Sequence, residues 1–246
     1  MRLFLCFTIT SLVFLFASLA LFSEEIDQAQ GTWKEDFGIE IKAKEKILPK
    51  GWELKTKIGT PVAEFYIAKN YRENLSFLHM ESNKSTGSVI FNLGKVNIRS
   101  TPILRWRWRA KILPEGADGR EENKDDQAIG IYLGTGSLLS KKCVSYRWDT
   151  ETPKDSEGSC AYGAGTIKIK WFTLRNKADM EKNDWFIEER NVAEDFNKAW
   201  GFYPEDIYIS VSGNSQYTAS KSSADLNWIE LLPEPVKQGQ ETGEPK

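Results

Sequence analysis

The chain has 246 residues, 40% of them hydrophobic and 12% aromatic, with nine tryptophans. That apolar content is enough to build a core and excludes a chain that is disordered throughout. The formal net charge of −2 gives no electrostatic reason to expect nucleic acid as a partner.

Met1-Arg2 is a short positive start, and Leu3 to Phe22 follows without a charge. Ser18 and Ala20 place small residues where signal peptidase reads them. Residues 1–23 are therefore expected to be a signal peptide, cut after Ala20 or after Ser23. An uncleaved anchor is the alternative, because the run approaches the ~20 residues that span a bilayer. Either way the rest of the chain is expected to be exported, to the periplasm or beyond the cell. No second apolar span follows. Cys6 lies in the signal segment, so Cys143 and Cys160 remain, two thiols that would pair as a disulfide in an oxidising compartment. One histidine and one cysteine pair are too few for a Cys/His zinc site.

Residues 31–232 read as one domain, and the polar tail 233–246 as disordered. Most of the domain alternates with a period of two. Leu75, Phe77 and His79 alternate with Ser76, Leu78 and Met80. In the next clear strand Leu104, Trp106, Trp108 and Ala110 share one face, and Arg105, Arg107 and Arg109 the other. Ile129, Ile131 and Leu133 alternate with Ala128, Gly130 and Tyr132. Val144, Tyr146 and Trp148 alternate with Cys143, Ser145 and Arg147, and Ile167, Ile169 and Trp171 with Lys168, Lys170 and Phe172. Ile207, Ile209 and Val211 form another such run, and Leu226 to Leu231 closes the domain. One segment differs: over Asn191–Gly201, Val192, Phe196 and Trp200 recur every four residues, which predicts a short helix stopped by the glycine. The expected fold is mainly β: a jelly-roll-like antiparallel two-sheet β-sandwich with one short helix.

The non-core parity of these strands carries Arg105, Arg107, Arg109, Arg147, Lys168 and Lys170. If the strands were neighbours they would form a cationic groove, with Ala128 and Gly130 leaving a trough and Tyr132 at its side. Arginine forks suit carboxylates and phosphates, so the expected ligand is an anionic glycan or another anionic envelope component. Arg105, Arg107 and Arg147 would read charge, and Tyr132 and Trp148 would stack on the ligand. The plainer reading is a solvated sheet face, with the tryptophans in the core. Trp106, Trp108, Trp171 and Trp228 are expected in the core, and Trp185 nearer a strand end.

Asp125 and Asp126, with Asp118, Glu121 and Glu122 before them, could hold calcium, although no Asp-x-Asp-x-Asp-Gly loop is present. One of the pair could instead meet Arg107 or Arg190 in an internal ion pair. No other cofactor is expected. A carboxylate pair drawn from Asp126, Asp149, Glu151, Glu188 and Glu189 would make the chain a polysaccharide hydrolase or lyase. A purely structural partner of another envelope protein is the third reading. His79 shares a strand face with Leu75 and Phe77 that reads as apolar, and it is expected to be a satisfied, partly buried histidine. No Gly-x-Ser-x-Gly elbow, phosphate loop or dinucleotide fingerprint occurs.

Four segments also carry a resemblance. They are Pro102 to Arg109, Lys124 to Tyr132, Tyr146-Arg147-Trp148, and Arg190 to Asp195 followed by Trp200-Gly201 and Pro204. In order and spacing they resemble the bacterial domain-of-unknown-function family 3047 across roughly Trp33 to Leu231. The resemblance implies an exported bacterial sandwich domain and no assigned activity. It departs over Ser210–Ser223, which is neutral and serine-rich where the family tends to carry an Asp/Thr-rich run.

Overall fold

The structure is a computed structural model that describes residues 32–38, 46–137, 140–182 and 184–235. The expected signal segment and residues 236–246 of the expected tail lie outside them. Strands are numbered in chain order. The first four are β1 (Trp33–Glu35), β2 (Trp52–Lys55), β3 (Glu64–Asn70) and β4 (Leu75–Asn83). Next come β5 (Thr86–Lys95), β6 (Ile103–Ile112), β7 (Gln127–Ser137) and β8 (Ser140–Trp148). The last are β9 (Glu157–Tyr162), β10 (Ile167–Arg175), β11 (Phe186–Asn191), β12 (Asp206–Asn214) and β13 (Lys221–Leu232). The helix α1 spans Val192–Trp200. Among the described residues no helix is long and apolar enough to cross a membrane.

Two sheets stack. One is six-stranded, in the order β11-β6-β13-β4-β3 with β1 also on β13. The other is seven-stranded, in the order β2-β5-β12-β7-β8-β10-β9. The sandwich is as expected, except that β8 and β10 run parallel. Alternation fixes the core: Trp106 and Trp108 of β6 point inward and meet Tyr146 and Trp148 of β8. Trp106 stacks on Tyr146 at 5.2 Å, and Tyr146 on Phe172 at 5.9 Å. Trp148 is 1% exposed, edge-on to Trp108 and Phe186, and donates to the Asn176 carbonyl. It packs the core and is closed to any ligand, which corrects the stacking role expected for it.

The helix forms where its sequence places it. The Asn191 side chain accepts from Glu194 N–H at the start, and Gly201 ends it in the left-handed region at φ 76°. Val192 and Phe196 are buried. Asp195 takes a fork of hydrogen bonds from Arg190 at 2.6 and 2.9 Å and accepts from the Tyr146 hydroxyl at 2.7 Å, so the helix is pinned to β8.

Three expectations about faces are corrected. Phe77 and His79 point out of the six-stranded sheet while Leu78 and Met80 join the core. Trp228 is half-buried outside the core cluster, with the Arg105 guanidinium over its ring. Ile169 and Trp171 form a second apolar cluster with Cys143, and it is Phe172 that enters the core.

Candidate functional site

The basic residues expected to share one groove do not share a face. Arg105, Arg107 and Arg109 stand on the outer face of the six-stranded sheet, and Arg147 on the outer face of the seven-stranded sheet, across the core. Lys168 and Lys170 share the parity of Phe172, and Lys170 pairs with Glu157 at 3.4 Å. Alternation tells which residues of one strand share a face, but not which sheet the strand joins.

Arg147 is 2% exposed and sits between two buried carboxylates. Its Nη2 lies 2.5 Å from Asp125 Oδ1 and donates to Gln127 Oε1 at 3.1 Å. Its Nε lies 3.1 Å from Asp149 Oδ1. Burial opposes the guanidinium charge, but Asp149 and Asp125 outweigh it and hold the pKa of Arg147 above its usual value. Burial also raises the pKa of Asp149 against the pull of Arg147. Thr173 donates to Asp149 at 2.8 Å, and the Tyr162 hydroxyl donates to the second oxygen of Asp125. Gly119 closes the cluster from outside: a Cβ there would come within 3.0 Å of Arg147 Nη1. Arg147 is thus a structural cation with more negative than positive charge around it, not a reader of anionic ligands.

Around this cluster lie tyrosines that sequence reasoning mostly missed. Tyr132, Tyr162 and Tyr208 are half-buried on the same outer face, with Trp171 and Cys160. The trough expected at Gly130 is filled by a ring. A Cβ on Gly130 would meet the Tyr132 ring at 2.8 Å, and one on Gly134 the Tyr208 ring at 2.4 Å. Both rings therefore lie against the sheet, each turning its other side away from it. The signal was present in Gly130-Ile-Tyr132-Leu-Gly134, where glycine, tyrosine and glycine take successive positions on one face. Ala128 does not belong to that trough. Ser212 faces Gly130 and Asn214 faces Gln127, so Ala128 and Ile129 together lie opposite Gly213. This bulge puts Ala128 in the core and brings Gln127 beside Tyr132, to which it donates at 2.9 Å. Burial pushes the Tyr132 pKa up to about 12 and, with the Asp125 charge, that of Cys160 to about 11. Lysines rim the face: Lys141 Nζ is 5.4 Å from the Tyr208 ring and Lys57 Nζ 5.5 Å from Tyr217.

Seven buried side-chain nitrogen or oxygen atoms among the described residues have no hydrogen-bond partner. Four of them belong to this face: Arg147 Nε and Asp149 Oδ1, which meet each other in the ion pair, and Ser145 Oγ and Trp171 Nε1, which stay unsatisfied. Folded proteins rarely leave such atoms unsatisfied, and two of them beside an ion cluster under one set of tyrosines mark the place.

Asp125 and Asp126 do not form a calcium loop. Asp125 is held by Arg147 and Tyr162, while Asp126 accepts from the backbone of Tyr217 and Thr218 and from the Thr218 hydroxyl. Asp125 does make an internal ion pair, with Arg147 and not with Arg107 or Arg190. The carboxylates considered for hydrolysis are likewise engaged apart, Glu151 by Lys177 and Glu188 by Arg175. Cys143 and Cys160 are free. Both are Cα partners of Ile169, one on each side of β10. They therefore stand two strand spacings apart, about 10 Å, beyond the ~4.4–6.8 Å between Cα atoms that a disulfide bridges. The expected bridge is not made.

The outer face of the six-stranded sheet is organised in rows. Glu189, Arg105 and Glu230 are cross-strand neighbours, then Ile187, Arg107 and Trp228, then Arg109, Asp225, His79 and Tyr66. Arg109 donates to Asp225 at 2.7 Å, and His79 Nδ1 lies 2.5 Å from the other oxygen of Asp225. Arg105 is 3.8 Å from both Glu189 and Glu230. Trp185 covers Arg109 at 4.3 Å and Arg107 at 5.1 Å.

The family model described as "Protein of unknown function (DUF3047)" matches residues 50–230. The chain belongs to this family. Two segments that resemble the DUF3047 pattern build the cluster just described, since Asp125 and Arg147 form its ion pair. A third supplies the helix fork of Arg190 and Asp195. The serine-rich departure places Ser210 and Ser212 on β12 and Tyr217 and Thr218 beside Asp126. No curated protein matches the chain. Among solved structures, it is similar to the family 11 carbohydrate-binding module of the cellulosomal cellulase Lic26A-Cel5E of Clostridium thermocellum. That match has 10% identity and a TM-score of 0.41, over 83% of this chain and 96% of that one. The same module in complex with a β-1,3-1,4-mixed-linked tetrasaccharide matches at 8% and 0.41, over 82% and 95%. A winged bean acidic lectin complexed with methyl-α-D-galactose matches at 9% and 0.42, over 82% and 98%. These likenesses are distant, and the DUF3047 fold described here rests on its own strand pairings.

Proposed function

We propose that the chain is an exported binding module that takes a glycan on the outer face of its seven-stranded sheet. The observation that carries this reading is the set of half-buried tyrosine rings, Tyr132, Tyr162 and Tyr208, laid over a floor with two unsatisfied polar atoms, Ser145 Oγ and Trp171 Nε1. A tyrosine offers an apolar ring to the C–H face of a sugar and a hydroxyl to its polar edge. Binding surfaces commonly combine such rings with a few fixed polar groups. The Asp125–Arg147–Asp149 cluster gives that floor its stiffness. Acidic sugars are drawn by the rim lysines Lys57 and Lys141, not by a buried arginine, so that preference fades with salt. The uncharged segment Leu3–Phe22 supports export.

The test is affinity electrophoresis of the protein through gels holding soluble neutral or acidic polysaccharides. Retardation of the wild type, lost in Tyr132→Ala and Tyr208→Ala variants that still melt cooperatively, is the expected result. Mobility unchanged by every polysaccharide, or retardation that survives both substitutions, overturns the reading. Activity of alkaline phosphatase fused to the C-terminus reports export, and an inactive fusion removes that part.

A further inference from the structure

We propose a second binding site on the opposite sheet, anchored by Arg107 and suited to a sugar ring that carries a single carboxylate. It stands on observations independent of the tyrosine face. Three arginines form a column on β6, and their neighbours differ. Arg105 lies between Glu189 and Glu230, and Arg109 is held by Asp225. Among the described residues Arg107 donates only to the neutral Asn227 side chain, at 3.0 Å, and no carboxylate lies within 4 Å of it. Its cross-strand neighbours are Trp228 and Ile187, the latter 50% exposed, and Trp185 stands over its guanidinium.

The middle arginine is thus an uncompensated cation in an apolar and aromatic frame. Its planar fork has donors left for an oxyanion, and the tryptophan beside it offers a ring face. The rows on either side select the ligand. Glu189, Glu230 and Asp225 would repel a second negative charge a few ångströms from the first, so a densely charged phosphate chain is disfavoured. One isolated carboxylate on a ring body meets the arginine and the tryptophan together. An acidic protein side chain would bring the charge without the ring.

The experiment is an NMR titration of the uniformly ¹⁵N-labelled protein, following the indole N–H signals of Trp185 and Trp228, assigned through Trp185→Phe and Trp228→Phe. The probes are D-glucuronate, D-glucose and inorganic phosphate. Glucuronate should shift both signals saturably, while glucose leaves them in place and phosphate acts only at higher concentration. Arg107→Met should weaken glucuronate by roughly tenfold or more, with Arg107→Lys in between, while Lys141→Met on the opposite sheet stays within about a factor of three. Tyr132→Ala should titrate as the wild type does, which separates this site from the tyrosine face. Equal response to glucose, equal response to phosphate, or an Arg107→Met titration like that of the wild type overturns the proposal.

Discussion

Replacing Arg147 by methionine tests whether the seven-stranded sheet depends on its buried ion cluster. The side chain is 2% exposed, and its partners Asp125 and Asp149 are 3% and 0% exposed. Methionine has similar length and no charge, so the packing volume is nearly kept while two carboxylates lose their cation. Removing one partner of a buried pair costs about 3–5 kcal/mol. For a domain of this size each kcal/mol lowers the melting temperature by about 2–4 °C, so the expected fall is roughly 6–20 °C. Adding Asp149→Asn removes one of the stranded charges and should restore part of the loss, because the two sites share an ion pair and their effects do not add. Arg107→Ala is the internal control: it loses a hydrogen bond to a neutral amide on an open face, worth about 1 kcal/mol. Urea unfolding followed by tryptophan fluorescence measures the wild type, Arg147→Met, Asp149→Asn, the double variant and Arg107→Ala. A loss below ~1 kcal/mol for Arg147→Met would refute the reasoning, as would a double variant that falls by the full sum of its parts.

Other outcomes follow from the same structure. Burial opposes a charge on His79, but its contacts with Asp225 and Glu81 prevail and raise its pKa. The folded state then holds the proton more tightly than the unfolded chain, whose histidine titrates near ~6.5. This contribution to stability is complete below that value and is lost as pH rises through the folded pKa, a slope that His79→Gln should remove from a pH series of melting curves. Cys143 and Cys160 should both react with a thiol reagent in denaturant without prior reduction, and a mass two hydrogens lower would contradict the spacing across Ile169. Trp148→Ala should cost about 3–5 kcal/mol in urea unfolding, as a core tryptophan does, whereas Trp228→Ala, at a half-buried outer position, should cost less. Gly134→Val should displace the Tyr208 ring and abolish polysaccharide retardation while the protein still folds, and unchanged retardation would show that the ring position is immaterial.

The parts of the fold that could be read in advance are those where one face of a strand is apolar and the other charged. Trp106 and Trp108 against Arg105, Arg107 and Arg109 left one solution. The helix was equally legible, because Asn191 and Gly201 are its caps and Val192 and Phe196 its buried side. Reading failed where both faces of a strand are covered. In β10 the run Ile167, Ile169 and Trp171 is apolar because it packs with Cys143 and Tyr132 outside the core, so hydrophobicity alone could not tell inside from outside. Phe77 and His79 misled in the same way, being sheltered by Trp185 and Tyr66 on an outer face. The bulge at Ala128 reversed a parity that strict alternation takes as fixed. The candidate site was legible only in fragments. Arg147 and Tyr132 were singled out, but the 22 residues that separate Asp125 from Arg147 conceal a contact that only sheet pairing creates. A cysteine pair suggested a bridge by number, and the strand between the two forbids it by distance.

The position of β1 has a consequence for how the unit can be handled. It lies along β13 beyond the point where β4 stops, with Trp33 opposite Leu231. The first and last described strands are thus hydrogen-bonded neighbours, and that stretch of chain is closed in space although open in sequence. A circular permutant that joins these ends by a short linker and opens the exposed Tyr71–Asn74 turn would keep every strand pair. By the same token the whole sandwich could be spliced into a longer polypeptide as an insert, entering and leaving at one spot with both broad faces unobstructed.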